Sequence, residues 1–87
     1  MYVIVVYDVN VRRVSKVCNY LRRYLNWVQN SVFEGDLTES ELERIKFELS
    51  LMINKEEDSI VIYVLGSDKY LKREIIGNPK NDISNIV

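Results

Sequence analysis

Asp8 closes the apolar run Tyr2 to Tyr7, and Arg12, Arg13 and Lys16 follow within eight residues with no acid between them. A carboxylate beside a group of cations has the makings of a phosphate-handling site. Mg²⁺ takes one or two carboxylates and completes its shell with water and phosphate oxygens, while guanidinium and ammonium groups hold phosphate oxygens directly. Two Asp8 side chains, brought together across an axis between two copies, would hold such an ion, which could polarise a phosphodiester and activate water. Ordinary readings compete. Asp-Val-Asn also suits a turn or helix cap, and a solvated helix face is the better account of Arg22 and Arg23. Histidine is absent, which excludes imidazole acid–base chemistry, histidine-bound metals and catalytic triads.

The stretch QNSVFEG, residues 29 to 35, reads as strand. On a period of two it sets Gln29, Ser31 and Phe33 on one face, an aromatic ring beside two hydrogen-bonding groups. This predicts a Ser31 hydroxyl turned toward a bound phosphate and a Phe33 ring in a subunit contact. Gly35 then turns the chain toward the next helix. Cys18 lies in an apolar helix stripe and reads as packing, and Trp27 as the anchor of a strand end.

The elements that must position these residues follow from periodicity. Tyr2 to Tyr7 and Ser59 to Leu65 are β-branched and aromatic, apolar on both faces, and read as strands. Val14, Val17, Cys18, Leu21 and Leu25 form the buried stripe of a helix whose other side is basic. Val28 to Glu34 reads as a second strand. Thr38-Glu39-Ser40-Glu41 is a capping box opening a helix buried through Leu42, Ile45, Leu49 and Met52. Gly66-Ser67-Asp68 is a turn, and Tyr70 to Ile76 a strand with edge-type charges. The order is strand, helix, strand, helix, strand, strand. It predicts an α+β sandwich of the ferredoxin-like, βαββαβ type, with two helices on one face of a four-stranded antiparallel sheet.

Eighty-seven residues make one domain, divided here into a core of residues 1–76 and a C-terminal tail, 77–87. A lone cysteine excludes an internal disulfide and fits a reducing cytoplasm, and no segment is long enough to span a membrane. The net charge is −1, but it is segregated: +4 over residues 1–33, −6 over 34–58 and +1 over the remainder. A basic face can therefore coexist with an acidic total. Two helices cover only one sheet face, yet the strands at 2–7 and 59–65 are apolar on both. A second copy packed face to face about a two-fold axis is the expected cover.

The strand ending in Tyr7-Asp8, then Arg12-Arg13-x-x-Lys16-Val17, then Gln29-x-Ser31-Val32-Phe33-Glu34-Gly35-x-Leu37-Thr38 resembles the CRISPR-associated endonuclease two family over nearly the whole chain. The resemblance implies a ferredoxin-like homodimer whose C-terminal tail adds a strand to the other subunit's sheet. It implies Mg²⁺-dependent cleavage of RNA or duplex DNA in some members. In others it implies a non-catalytic scaffold that holds the CRISPR integrase and DNA during spacer capture. Asp8 falls on the family's metal-binding, catalytic aspartate. Arg12, Arg13, Ser31 and Phe33 match other positions tied to activity or the interface; beside them Lys16 is expected to join Arg12 and Arg13 in nucleic-acid contact, and Tyr7 to join Phe33 at the interface. The chain departs from the family in its short Asp8-to-Arg12 connection and in Trp27, where many relatives carry a basic residue. A toxin-type ribonuclease of the same fold is a further alternative.

Overall fold

In a computed structural model, residues 1–66 and 71–79 are described. Two-residue alternation governs β1 (Tyr2–Asp8). Val3, Val5 and Tyr7 are buried under the helices, and Tyr2, Ile4, Val6 and Asp8 face the other way. α1 (Val11–Leu21) follows, capped by Asn10, whose side chain accepts from the Arg12 N–H. Then come β2 (Asn26–Gln29), β3 (Val32–Asp36), α2 (Glu39–Met52), β4 (Ser59–Leu65) and β5 (Leu71–Gly77). At α2 the Thr38 hydroxyl accepts from the Glu41 N–H at 3.1 Å, and the Glu41 carboxylate accepts from the Thr38 N–H at 2.9 Å. This is the reciprocal box that the sequence predicts.

The strands form one antiparallel sheet in the order β2-β3-β1-β4-β5. The first six elements run β-α-β-β-α-β, the ferredoxin-like succession, and β5 extends the sheet beyond β4. The sheet thus has five strands rather than four, because the single strand expected over Val28 to Glu34 is a hairpin. Asn30 takes a left-handed conformation, φ 42°, which Asn tolerates better than most residues. The chain reverses there, and Trp27 pairs with Phe33 and Gln29 with Val32. Gln29, Ser31 and Phe33 therefore do not line one strand face. Gly35 makes no turn either. It lies inside β3 under Leu25, whose Cδ2 would stand 3.1 Å from an added Cβ, so its smallness serves the contact between the α1 exit and the sheet.

One core joins Val3, Val5 and Tyr7 to Phe33, Val17, Leu21, Ile45, Leu49, Ile60 and Ile62. The opposite sheet face has no covering element among the described residues. It presents Tyr2, Ile4, Val6, Val61, Tyr63, Leu65, Leu71 and Ile75, which register places side by side. The expected Ser67-Asp68 turn and the tail from residue 80 lie outside the described residues.

Candidate functional site

Asp8 is exposed at the carboxyl end of β1, on the uncovered sheet face, opposite Ser59 of β4. With Asn10, Glu57 and Asp58 it lines an open recess of about 360 Å³. The chain leaving Asp8 is fixed by Asp58, a fully buried carboxylate (0% exposed) that accepts four hydrogen bonds. Oδ1 takes the Asn10 N–H at 2.9 Å and Arg13 Nη2 at 3.2 Å. Oδ2 takes Arg13 Nε at 2.7 Å and the Asn54 N–H at 2.9 Å. Arg13, followed by the two backbone N–H groups, holds this carboxyl far below the ordinary carboxylate range, against the opposing cost of burial. In return Asp58 raises the already high pKa of Arg13. Glu57 adds a second contact to Arg13 at 3.5 Å. One buried charge thereby joins the β1–α1 connection to the α2–β4 turn and sets where Asp8 emerges. Within the sequence Asp58 looks like one of several turn acids, Glu56-Glu57-Asp58; its position directly before the apolar strand Ser59–Leu65 is the signal that it turns inward.

Arg13 is thus engaged with Asp58 and Glu57 through Nε and Nη2. Arg12 and Lys16 are exposed on α1, Lys16 on the side of the helix that faces the groove shared with α2. Ser31 sits in the β2–β3 turn, where its carbonyl accepts the Tyr7 N–H at 3.0 Å; this brings it to the same end of the sheet as Asp8.

Tyr7 and Phe33 are in the protomer core, not on an exposed interface. Tyr7 is 6% and Phe33 0% exposed, their rings 6.0 Å apart on the helix side of the sheet. The reason is parity: Tyr7 shares its face with Val3 and Val5, and Phe33 is paired with Val5. The Tyr7 hydroxyl meets Cys18 Sγ at 3.0 Å, and burial pushes its pKa up to about 12. Cys18 is packing, as its helix stripe implies. Trp27 is mostly exposed and donates from Nε1 to the Asn30 carbonyl at 3.0 Å, bracing the hairpin.

Among the described residues no three His, Cys, Asp or Glu side chains are grouped to hold a metal. Asp58 has committed its lone pairs to four donors. The donor set of one copy still fits a hard divalent cation in the limited sense that Mg²⁺ requires: an exposed carboxylate on Asp8 with cations at hand to position phosphate.

The family model for CRISPR associated protein Cas2 matches residues 1–73. A CRISPR-associated endoribonuclease Cas2 of Dictyoglomus turgidum is 53% identical over 81 residues, 93% of each chain. One of Methanocaldococcus jannaschii is 54% identical over 87 residues, covering all of this chain and 76% of the relative. Among solved structures, a crystal structure of Streptococcus pyogenes Cas2 is 39% identical with a TM-score of 0.70, covering 78% of this chain and 89% of that one.

Proposed function

The chain belongs to the CRISPR-associated Cas2 family, and on that premise we propose that it is a metal-dependent endonuclease of CRISPR adaptation whose site forms where two copies meet across the uncovered sheet face. The observation that carries this reading is the placement of Asp8, an exposed carboxylate ending a strand face that is otherwise Tyr2, Ile4 and Val6. Burying that apolar face against its own copy would bring two Asp8 carboxylates toward one axis. Mg²⁺ held there would supply Lewis-acid polarisation of a phosphodiester and an activated water.

The chain's own residues have separable tasks. Asp8 would hold the ion. Arg12 and Lys16 draw the sugar-phosphate backbone of RNA or duplex DNA to the site, and Ser31 adds a hydroxyl within the same end of the sheet. Arg13 acts indirectly, through Asp58, as a positioning residue for the loop that follows Asp8. The integrase of the adaptation machinery is the expected protein partner.

Incubating the protein with labelled RNA and duplex DNA, in Mg²⁺ or in EDTA, tests the reading. Cleavage should need Mg²⁺ and should disappear in Asp8→Ala, with a melting curve run alongside to confirm that the variant folds. Cleavage that survives in Asp8→Ala refutes the assignment. No cleavage by the parent chain, with spacer acquisition intact in an Asp8→Ala strain, replaces it with the scaffold reading.

A further inference from the structure

Trp27 is the only tryptophan in the chain, and it stands 55% exposed on β2, an edge strand whose four residues are all exposed. The indole does not hang free there. Its Nε1–H donates to the Asn30 carbonyl at 3.0 Å, the same oxygen that takes the Tyr7 hydroxyl at 3.4 Å. Tyr7 is buried, with its ring 6.0 Å from that of Phe33. One carbonyl therefore ties the exposed ring to the core.

Nε1 is the only polar atom of a tryptophan side chain, and Asn30 has claimed it. What meets solvent is aromatic carbon, held in one orientation. Bracing the hairpin accounts for the donor, but not for leaving more than half of so large an apolar group in water, where burial would stabilise. A ring already fixed at its edge loses little freedom on contact, which suits a flat ligand that stacks.

Position favours a nucleobase over an apolar protein side chain. Trp27 pairs with Phe33, and Phe33 with Val5. This sets Trp27 two strand spacings across and three residues back from Asp8, about 14 Å away. That is about four nucleotides of a stacked strand, at ~3.4 Å each. The turn between them, Asn30-Ser31, is bonded to Tyr7, the neighbour of Asp8. Pairing with Phe33 also puts the indole on the helix side of the sheet, so a copy packed on the uncovered face leaves it accessible.

We propose that Trp27 is a stacking platform for an unpaired nucleobase and directs the chain toward nucleic acid with single-stranded segments. The inference rests on the nucleic-acid reading of the Asp8 end, but on neither its metal nor cleavage. The contact is to a base and not to a phosphate. Bases inside a duplex have both faces covered by their neighbours, so a duplex gains nothing from the ring.

As the single tryptophan, Trp27 reports on its own environment. Its fluorescence, excited where tyrosine does not absorb, is followed in EDTA during titration with three probes: a single-stranded RNA, the same strand annealed to its complement, and an abasic strand of equal length. The single strand should quench saturably, and the other two should not. Anisotropy with the labelled single strand then compares the parent with Trp27→Leu and Trp27→Phe over a series of salt concentrations. Trp27→Leu should weaken binding about five- to a hundredfold, with the salt slope unchanged because no phosphate contact is lost. Trp27→Phe keeps an aromatic face and should stay within about threefold of the parent. Both variants remove the Nε1–H, so melting curves should show a similar small loss in each. No quenching by the single strand, equal quenching by the abasic strand, or unchanged affinity in Trp27→Leu overturns the proposal. Equal weakening in the two variants also overturns it, and leaves Trp27 as a hairpin brace alone. None of these results bears on cleavage that depends on Asp8, so the two readings fail separately.

Discussion

Replacing Asp58 with asparagine preserves volume and removes one charge, and the structure sets what that should cost. Four donors converge on this carboxylate: two backbone N–H groups and two nitrogens of Arg13. Asparagine offers one acceptor oxygen, and its amide nitrogen would point at donors. Removing one partner of a buried pair costs about 3 to 5 kcal/mol, and access of water to Arg13 argues for the lower end. A loss of about 3 kcal/mol in a domain of this size lowers the melting temperature by about 15 °C.

The pH dependence has a definite sign. The folded carboxyl is held below its unfolded value, so its contribution is complete above the ordinary carboxylate value near 4 and is lost as pH falls below it toward the folded value. The stability gap between the parent and Asp58→Asn should therefore be full near pH 7 and shrink below about pH 4. Urea unfolding followed by circular dichroism at several pH values measures both. A melting temperature within about 3 °C of the parent at neutral pH, or a gap that stays constant on acidification to about pH 3, would refute the argument that this carboxylate anchors the loops.

Three further outcomes follow from other parts of the fold. On the face-to-face pairing proposed above, Ile4→Glu, in the middle of the uncovered sheet face, should abolish self-association in sedimentation velocity while far-ultraviolet circular dichroism is retained. Gly77 has φ +92°, and a Cβ there would collide with the Asp58 carbonyl, so Gly77→Ala should lose about 2 kcal/mol by urea denaturation. Phe33→Ala should lose about 3 to 5 kcal/mol, the usual range for a large ring in a closed core; a loss near zero would mean that the ring sits at an interface after all.

The sequence exposes those elements that have a strong local signature. Thr38 and Glu41 define the start of α2, the limits Ser59 and Leu65 match β4, and the doubly apolar runs reveal a sheet with more apolar surface than two helices can cover. It conceals whatever depends on a single backbone torsion or a distant partner. The hairpin at Asn30 lacks the Asn-Gly pair that marks tight turns, so β2 and β3 read as one strand and Ser31 and Phe33 as neighbours on one face. Arg13 resembles Arg12 until Asp58, forty-five residues later, claims it. Tyr7 and Phe33 appear suited to an interface because an aromatic ring in a strand fits either face; only the pairing of Val5 with Phe33 sends both inward.

The central position of β1 bears on how the chain comes to be folded. Its two neighbours arrive late: β3 some thirty residues after it, and β4 nearly sixty, with Tyr2 finally opposite Leu65. At a synthesis rate of about 5 to 20 residues per second, a newly made β1 waits several seconds for its second edge to be satisfied, with oily side chains on both surfaces. During that delay it is a natural client for a holding chaperone and a hazard for adhesion to other nascent chains. The slow step of folding should therefore be the closure of this distant pairing rather than the formation of either helix.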